Sequence, residues 1–186
     1  MTVKELEPKR VFEIFDQITK VPRPSKKEEK IRRYLLDFAK QHNLQAKTDK
    51  VGNVVISAPA TPGHENAPTV ILQGHMDMVC ESNDKSFDFD NTPITTVVDG
   101  DWVRAEGTTL GADNGIGVAA ALAVMTDPDS VHGPLEALVT VDEETGMTGA
   151  FGLEGDMISG SILLNLDSED DAEIFVGCAG GVDTVC

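Results

Sequence analysis

The stretch TVILQGHMD, Thr69 to Asp77, decides the fold. Its first part, Thr69 to Gln73, is a short, continuous, β-branched and apolar run. That is the pattern of a strand buried on both faces in a parallel sheet. The run ends at Gly74, and a histidine and an aspartate follow two residues apart. The same design recurs downstream: Glu136 to Asp142 (EALVTVD) and Ser161 to Asp167 (SILLNLD) are apolar strands ending in acid. Ile116 to Met125 (IGVAAALAVM) lies between the first two and reads as a buried helix, with a shorter helix around Gly149 to Leu153. Strands alternating with helices predict an α/β fold, a three-layer sandwich with a mostly parallel mixed sheet.

Further out, Pro8 suits a helix start, and the stripe Val11, Phe12, Ile14, Phe15, Ile18 makes that helix amphipathic. VPRPS, Val21 to Ser25, breaks it. Ser25 then reads as the N-cap of a second helix running to His42, with Glu28 completing a capping box and Lys26, Lys27, Lys30, Arg32 and Arg33 on its solvated side. Gln45–Asp49 and Asn53–Ala58 predict a hairpin turning at Gly52-Asn53. Trp102–Glu106 and Glu173–Gly177 complete the expected strands.

Lys and Arg number 15 against 32 Asp and Glu, a net charge of −17 over 186 residues. Phosphate binding needs a basic footprint, so nucleic acid and anionic membrane surfaces are not expected partners. No apolar run reaches the roughly 18 residues of a membrane span. The start, MTVKELEPKRVFEIF, has neither the apolar region nor the cleavage site of a signal peptide. Cys80, Cys178 and Cys186 are an odd, sparse set without CxxC spacing. A reducing cytoplasm is therefore expected.

The chemistry lies where the strands end. His75 and Asp77 follow the first, Asp142, Glu143 and Glu144 the second, Asp167 the third, and Asp113 precedes the buried helix in TTLGADNG. In open α/β sheets ligands bind beyond the carboxyl ends of the strands. Each motif alone has a plain explanation: a polar loop for His-x-Asp, a surface pair for Glu143-Glu144, a helix N-cap for Asp113, a solvated acidic run for Asp167 onward. Together they crowd carboxylates that repel one another unless a cation sits among them. One imidazole with several carboxylates suits Zn²⁺, Mn²⁺ or Co²⁺ better than Ca²⁺. A pair of ions about 3.5–4 Å apart, sharing a ligand, fits so many carboxylates.

HMDMV at His75–Val79, TTLGADNGIGVA at Thr108–Ala119, VDEETGMTGA at Val141–Ala150, NLDSED at Asn165–Asp170 and GCAGG at Gly177–Gly181 closely resemble the aminoacyl-histidine dipeptidases. These cytosol non-specific, PepD-type enzymes are M20 metallopeptidases. The resemblance implies a di-metal exopeptidase-like catalytic domain with two divalent ions, zinc in the first place, manganese or cobalt otherwise. It implies that His75 and Asp167 ligate metal, that Asp77 orients the His75 imidazole, that Asp113 bridges both ions, that Glu144 is a ligand and that Glu143 is the general base. Hydrolysis of small peptides, Xaa-His and broader dipeptides, is the implied activity, in a cytoplasmic homodimer.

Members of that family are more than twice as long. They carry an inserted lid or dimerisation domain and then a return to the catalytic domain, where a late histidine completes the metal site. Residues 1–186 accordingly read as the N-terminal part of the catalytic domain, apparently truncated. His42, His64 and His132 match no ligand position and read as surface or loop residues. The competing readings are another M20 amidohydrolase, a deacylase or tripeptidase, and an inactive fragment that only binds a cation.

Overall fold

The structure, a computed structural model, describes residues 2–168 and 173–177. After a short 3-10 turn at Val3–Glu5, helix α1 runs over Lys9–Ile18, with Pro8 at its N-cap, and α2 over Glu29–Gln41. Strands β1 (Gln45–Thr48) and β2 (Val54–Ala58) form the expected hairpin. Its turn is closed by Asp49 Oδ1, which accepts from the backbone N–H of Val51, Gly52 and Asn53. Then come β3 (Val70–His75), β4 (Thr96–Asp99), β5 (Trp102–Ala105), α3 (Ala112–Thr126), β6 (Leu135–Thr140), the single turns α4 (Glu143–Gly146) and α5 (Thr148–Phe151), and β7 (Ile162–Asn165).

The main sheet is mixed, in the order β1-β2-β6-β3-β7. The trio β6-β3-β7 is parallel, and β2 joins it antiparallel to β6. Strand alternation splits the core in two. Val54, Ile56, Leu72, Ala137 and Val139 face α1, α2 and α3, where Ile14, Phe15, Ile31, Leu35 and Leu122 close the larger core. Val55, Ile71 and Leu138 face the other side, against Met157, Leu153 and Ile158. The connection leaving β3 thus packs α3 on one face, and the connection leaving β6 packs on the other. Neighbouring connections that part to opposite faces leave a crevice at the carboxyl ends of their strands.

Four expectations change. Ser161–Asp167 does hold a strand, but β7 is exposed along its length rather than buried, because it is the edge strand of the sheet among the described residues. Glu173–Gly177 is irregular chain rather than strand, with Ile174, Phe175 and Val176 on the surface. An apolar run becomes a strand only where a sheet edge receives it, and none among the described residues does. β4 was not expected; it pairs with β5 across the two-residue turn Gly100-Asp101, so the overlooked signal was Asp-Gly after TTVV. The Ser25–Glu28 capping box is absent. α2 begins at Glu29, the buried Glu28 carboxylate accepts from the N–H of Lys26 (2.7 Å) and Asp142 (3.1 Å), and Ser25 bonds elsewhere. Most of the acidic run after Asp167, most of GCAGG, Cys178 and Cys186 lie outside the described residues.

Candidate metal centre

His75 is the last residue of β3 and is 1% exposed. Its Nε2 lies 2.9 Å from Asp113 Oδ1, 3.7 Å from Asp167 Oδ1 and 4.0 Å from Glu143 Oε2. Its Nδ1 points the other way, 3.3 Å from Asp77 Oδ1. One imidazole thus faces the crevice with one nitrogen and a buried aspartate with the other, the arrangement that fixes tautomer and ring orientation in metal-bound histidines.

Asp77 is fully buried and organises more than the imidazole. Oδ1 accepts the Glu143 N–H (3.0 Å), and Oδ2 accepts the Glu144 N–H (3.2 Å) and the Ser25 hydroxyl (2.7 Å). The N–H groups at the start of α4 are left without helical partners, and a carboxylate placed there satisfies them. One buried side chain therefore ties the end of β3 to the glutamate pair after β6. The chain enters α4 through Asp142 in a left-handed conformation (φ 50°), with the Asp142 carboxylate taken up by the hydroxyls of Thr145 and Thr148. That corner turns Glu143 and Glu144 toward the crevice.

Asp113 lies in the first turn of α3, where the backbone is not helical (φ −79°, ψ 115°), and its side chain is exposed to the crevice. The next residue, Asn114, is a buried strut. Its Nδ2 donates to Leu166 O (2.8 Å) and to Asp167 Oδ1 (2.9 Å). Two glycines make room for it: a Cβ on Gly74 would sit 2.2 Å from Asn114 Oδ1, and one on Gly117 would sit 2.8 Å from the same amide.

All six residues expected from the sequence, His75, Asp77, Asp113, Glu143, Glu144 and Asp167, fall in this one cluster. Ligand atoms of His75, Asp113 and Asp167 lie within 4.8 Å of one another, as do those of His75, Glu143 and Glu144. His42, His64 and His132 are elsewhere; His42, for instance, meets the Arg10 guanidinium at 3.2 Å. Sequence reading missed Asn114, Ser25 and Arg23. The overlooked signal for the last two was a serine and an arginine set among prolines in VPRPS.

The electrostatics fit a cation-binding site. Burial works against a charged His75, yet Asp167, Asp77 and Asp113 outweigh it and push its pKa up to about 10. Burial also opposes ionised Asp77, but His75, Ser25 and the Glu143 N–H hold it at about 2. Glu143 and Glu144 are raised, first by burial and then by the neighbouring carboxylates, Asp167 for Glu143 and Asp113 for Glu144. A proton held on His75 among carboxylates marks where positive charge is wanted. A mixed imidazole and carboxylate donor set is also one that divalent zinc, manganese or cobalt accepts.

The parallel trio and its crevice place a donor set that could hold a divalent cation at the carboxyl ends of the strands. The chain belongs to peptidase family M20/M25/M40, whose pattern matches residues 71–183. It is 50% identical, over 182 residues, to the cytosol non-specific dipeptidase of Escherichia coli strain K12, covering 97% of this chain and 38% of that one. The crystal structure of an aminoacylhistidine dipeptidase from Vibrio alginolyticus superposes with a TM-score of 0.92 at 48% identity, over 96% of this chain and 36% of that one. The aminopeptidase PepT of Bacillus cereus shares the fold, with a TM-score of 0.75 at 23% identity over 89% of this chain and 44% of that one. The chain thus spans less than half the length of each of these relatives. Among the described residues no helix is long and apolar enough to cross a membrane.

Proposed function

We propose that the protein carrying this chain is a cytoplasmic metallodipeptidase, and that residues 1–186 supply the N-terminal part of its catalytic domain. The observation that carries this reading is the convergence of His75, Asp113, Glu143, Glu144 and Asp167 on one crevice, with Asp77 holding His75 and the glutamate pair together. The 50% identity to the E. coli dipeptidase supports dipeptides as the substrate class.

In this reading His75, Asp113, Glu144 and Asp167 would hold two divalent ions, zinc in the first place, and Asp113 would serve both. Asp113 stands 2.9 Å from His75, meets Asp167 side chain to side chain, and raises Glu144 through its charge, which supports the shared role. Bound there, the ions would supply the positive charge that polarises a peptide carbonyl and acidifies water. Glu143 is the general base: it accepts a proton from the attacking water and passes it to the leaving amine. Its raised pKa brings it closer to the pH of the cytoplasm, which favours the return of that proton. The Glu143 and Glu144 N–H groups are both held by Asp77, and a carboxylate oxygen of each comes within 4.8 Å of the other and of His75. The homodimer expected from the resemblance belongs to the same proposal and is read by sedimentation.

The test uses the full reading frame, loaded with Zn²⁺, Mn²⁺ or Co²⁺ and offered dipeptides, tripeptides and N-acetyl amino acids. Turnover is expected with dipeptides. Glu143→Ala should keep its metal while kcat falls by about 10²–10⁴-fold. Preference for N-acetyl amino acids would replace the dipeptidase with a deacylase, and near-normal turnover by Glu143→Ala would remove the base.

A further inference from the structure

Between α1 and α2 the chain passes beneath the metal centre as Pro22-Arg23-Pro24-Ser25. Among the described residues Arg23 is the largest fully enclosed side chain, at 2% exposure. It makes no ion pair among those residues. Its Nη1 donates to Met76 O (3.1 Å) and Asp77 O (2.8 Å), and its Nη2 donates to Gly111 O. Its own carbonyl accepts the Met78 N–H (3.2 Å), and Pro24 bridges to Met78 beside it. The three acceptors belong to two separate connections. Met76 and Asp77 follow His75 at the end of β3, and Gly111 stands two residues before Asp113.

An arginine is almost never buried without reason, because a charge leaving water is costly. Here burial lowers its pKa to about 10, so it stays charged at neutral pH, with Asp77, Asp113 and Glu144 nearby to favour the cation. The chain also clears a berth for it. A Cβ on Gly111 would lie 2.5 Å from Nη2, and one on Gly115 would lie 2.7 Å from the same atom. These are two of the glycines of the TTLGADNGIG motif, and both face the guanidinium. A planar group with donors in a fixed fork holds its acceptors at set distances, which the flexible ammonium of a lysine does not.

We infer that Arg23 is a positioning residue of the metal centre, its guanidinium setting the distance between the His75–Asp77 arm and the Asp113 arm. This rests on the reading of the cluster as a cation site. Ser25, bonded to Asp77 Oδ2, extends the same clamp to the glutamate pair.

The experiment measures Zn²⁺ and Mn²⁺ affinity by chelator competition, and thermal stability with and without metal, in the full-length protein. Arg23→Lys keeps the charge and loses the fork. Gly115→Ala keeps the arginine and pushes a methyl against Nη2, at a helical position where alanine is otherwise favoured. Ile31→Val, in the core under α2, serves as a control that loosens the fold away from the site. Both site variants should bind metal about 10–100-fold more weakly, the range for supporting partners of metal ligands, while the control binds as wild type. Wild-type affinity in folded Arg23→Lys overturns the inference. If that variant does not fold, wild-type affinity in Gly115→Ala overturns it. A wild-type protein that takes up no metal overturns the cation reading itself, and this inference with it.

Discussion

Asp77→Asn probes the centre of the site with almost no change in shape. Asp77 receives donors on both oxygens: Glu143 N–H on Oδ1, and Glu144 N–H with the Ser25 hydroxyl on Oδ2. An asparagine keeps one of those oxygens and turns an NH₂ group on the other side. Either orientation confronts a half-buried backbone N–H with another donor. An orphaned buried donor costs about 1–3 kcal/mol. The carboxylate also sits at about 2 rather than near 3.9, which at 1.36 kcal/mol per unit is about 2.5 kcal/mol of stability that the amide forfeits. The two describe largely the same interactions, so a loss of about 2–3 kcal/mol is expected in urea unfolding of the metal-free protein at pH 7. The sign with pH is fixed. A depressed carboxyl stabilises above its unfolded pKa and loses that contribution as pH falls through its folded one. The gap between wild type and Asp77→Asn should therefore close between about pH 4 and pH 2. Metal affinity should fall about 10–100-fold, because His75 loses its orienting partner. A variant within 0.5 kcal/mol of wild type, by the roughly ±0.5 kcal/mol scale of neutral changes, and with unchanged metal affinity would refute the hub role of Asp77.

Three other perturbations separate the parts of the site. Asp113→Ala should lose metal as well as activity, and metal analysis that still finds two ions in the full-length chain would refute the shared ligand. Gly74→Ala should lower stability by about 1–3 kcal/mol, the cost of overpacking, because its Cβ meets Asn114 Oδ1 at 2.2 Å; a differential scan showing an unchanged Tm would refute the strut. In the metal-free protein His75 titrates at about 10, above the ordinary 6.5, so its contribution is complete below pH 6.5 and is lost as pH rises toward 10. Unfolding free energy should fall over that window with a slope approaching about 1.4 kcal/mol per pH unit, and His75→Gln should remove the slope.

The sheet's parallel trio, the buried helix α3 and the six acidic and histidine positions are legible in the chain before it folds. Each is a local signal: a continuous apolar run, an alanine-rich stretch, or a polar residue where a strand ends. Strand ends in a parallel group share one edge, so the site residues could be gathered before any contact was known. How those residues are held is set by contacts between distant segments. Ser25 looks like a helix cap in sequence and bonds Asp77 instead, because the chain crosses under β3 before α2 begins. Arg23 is two residues from Ser25, yet its partners lie 53, 54 and 88 positions away. Asn114 reads as part of a turn and braces Asp167, 53 residues on. EIFVG has the composition of a strand, but pairing needs a neighbouring edge, and composition carries no information about edges. Chemistry-bearing residues announce themselves by type and spacing; the residues that position them are chosen by which loops the fold brings within hydrogen-bond reach.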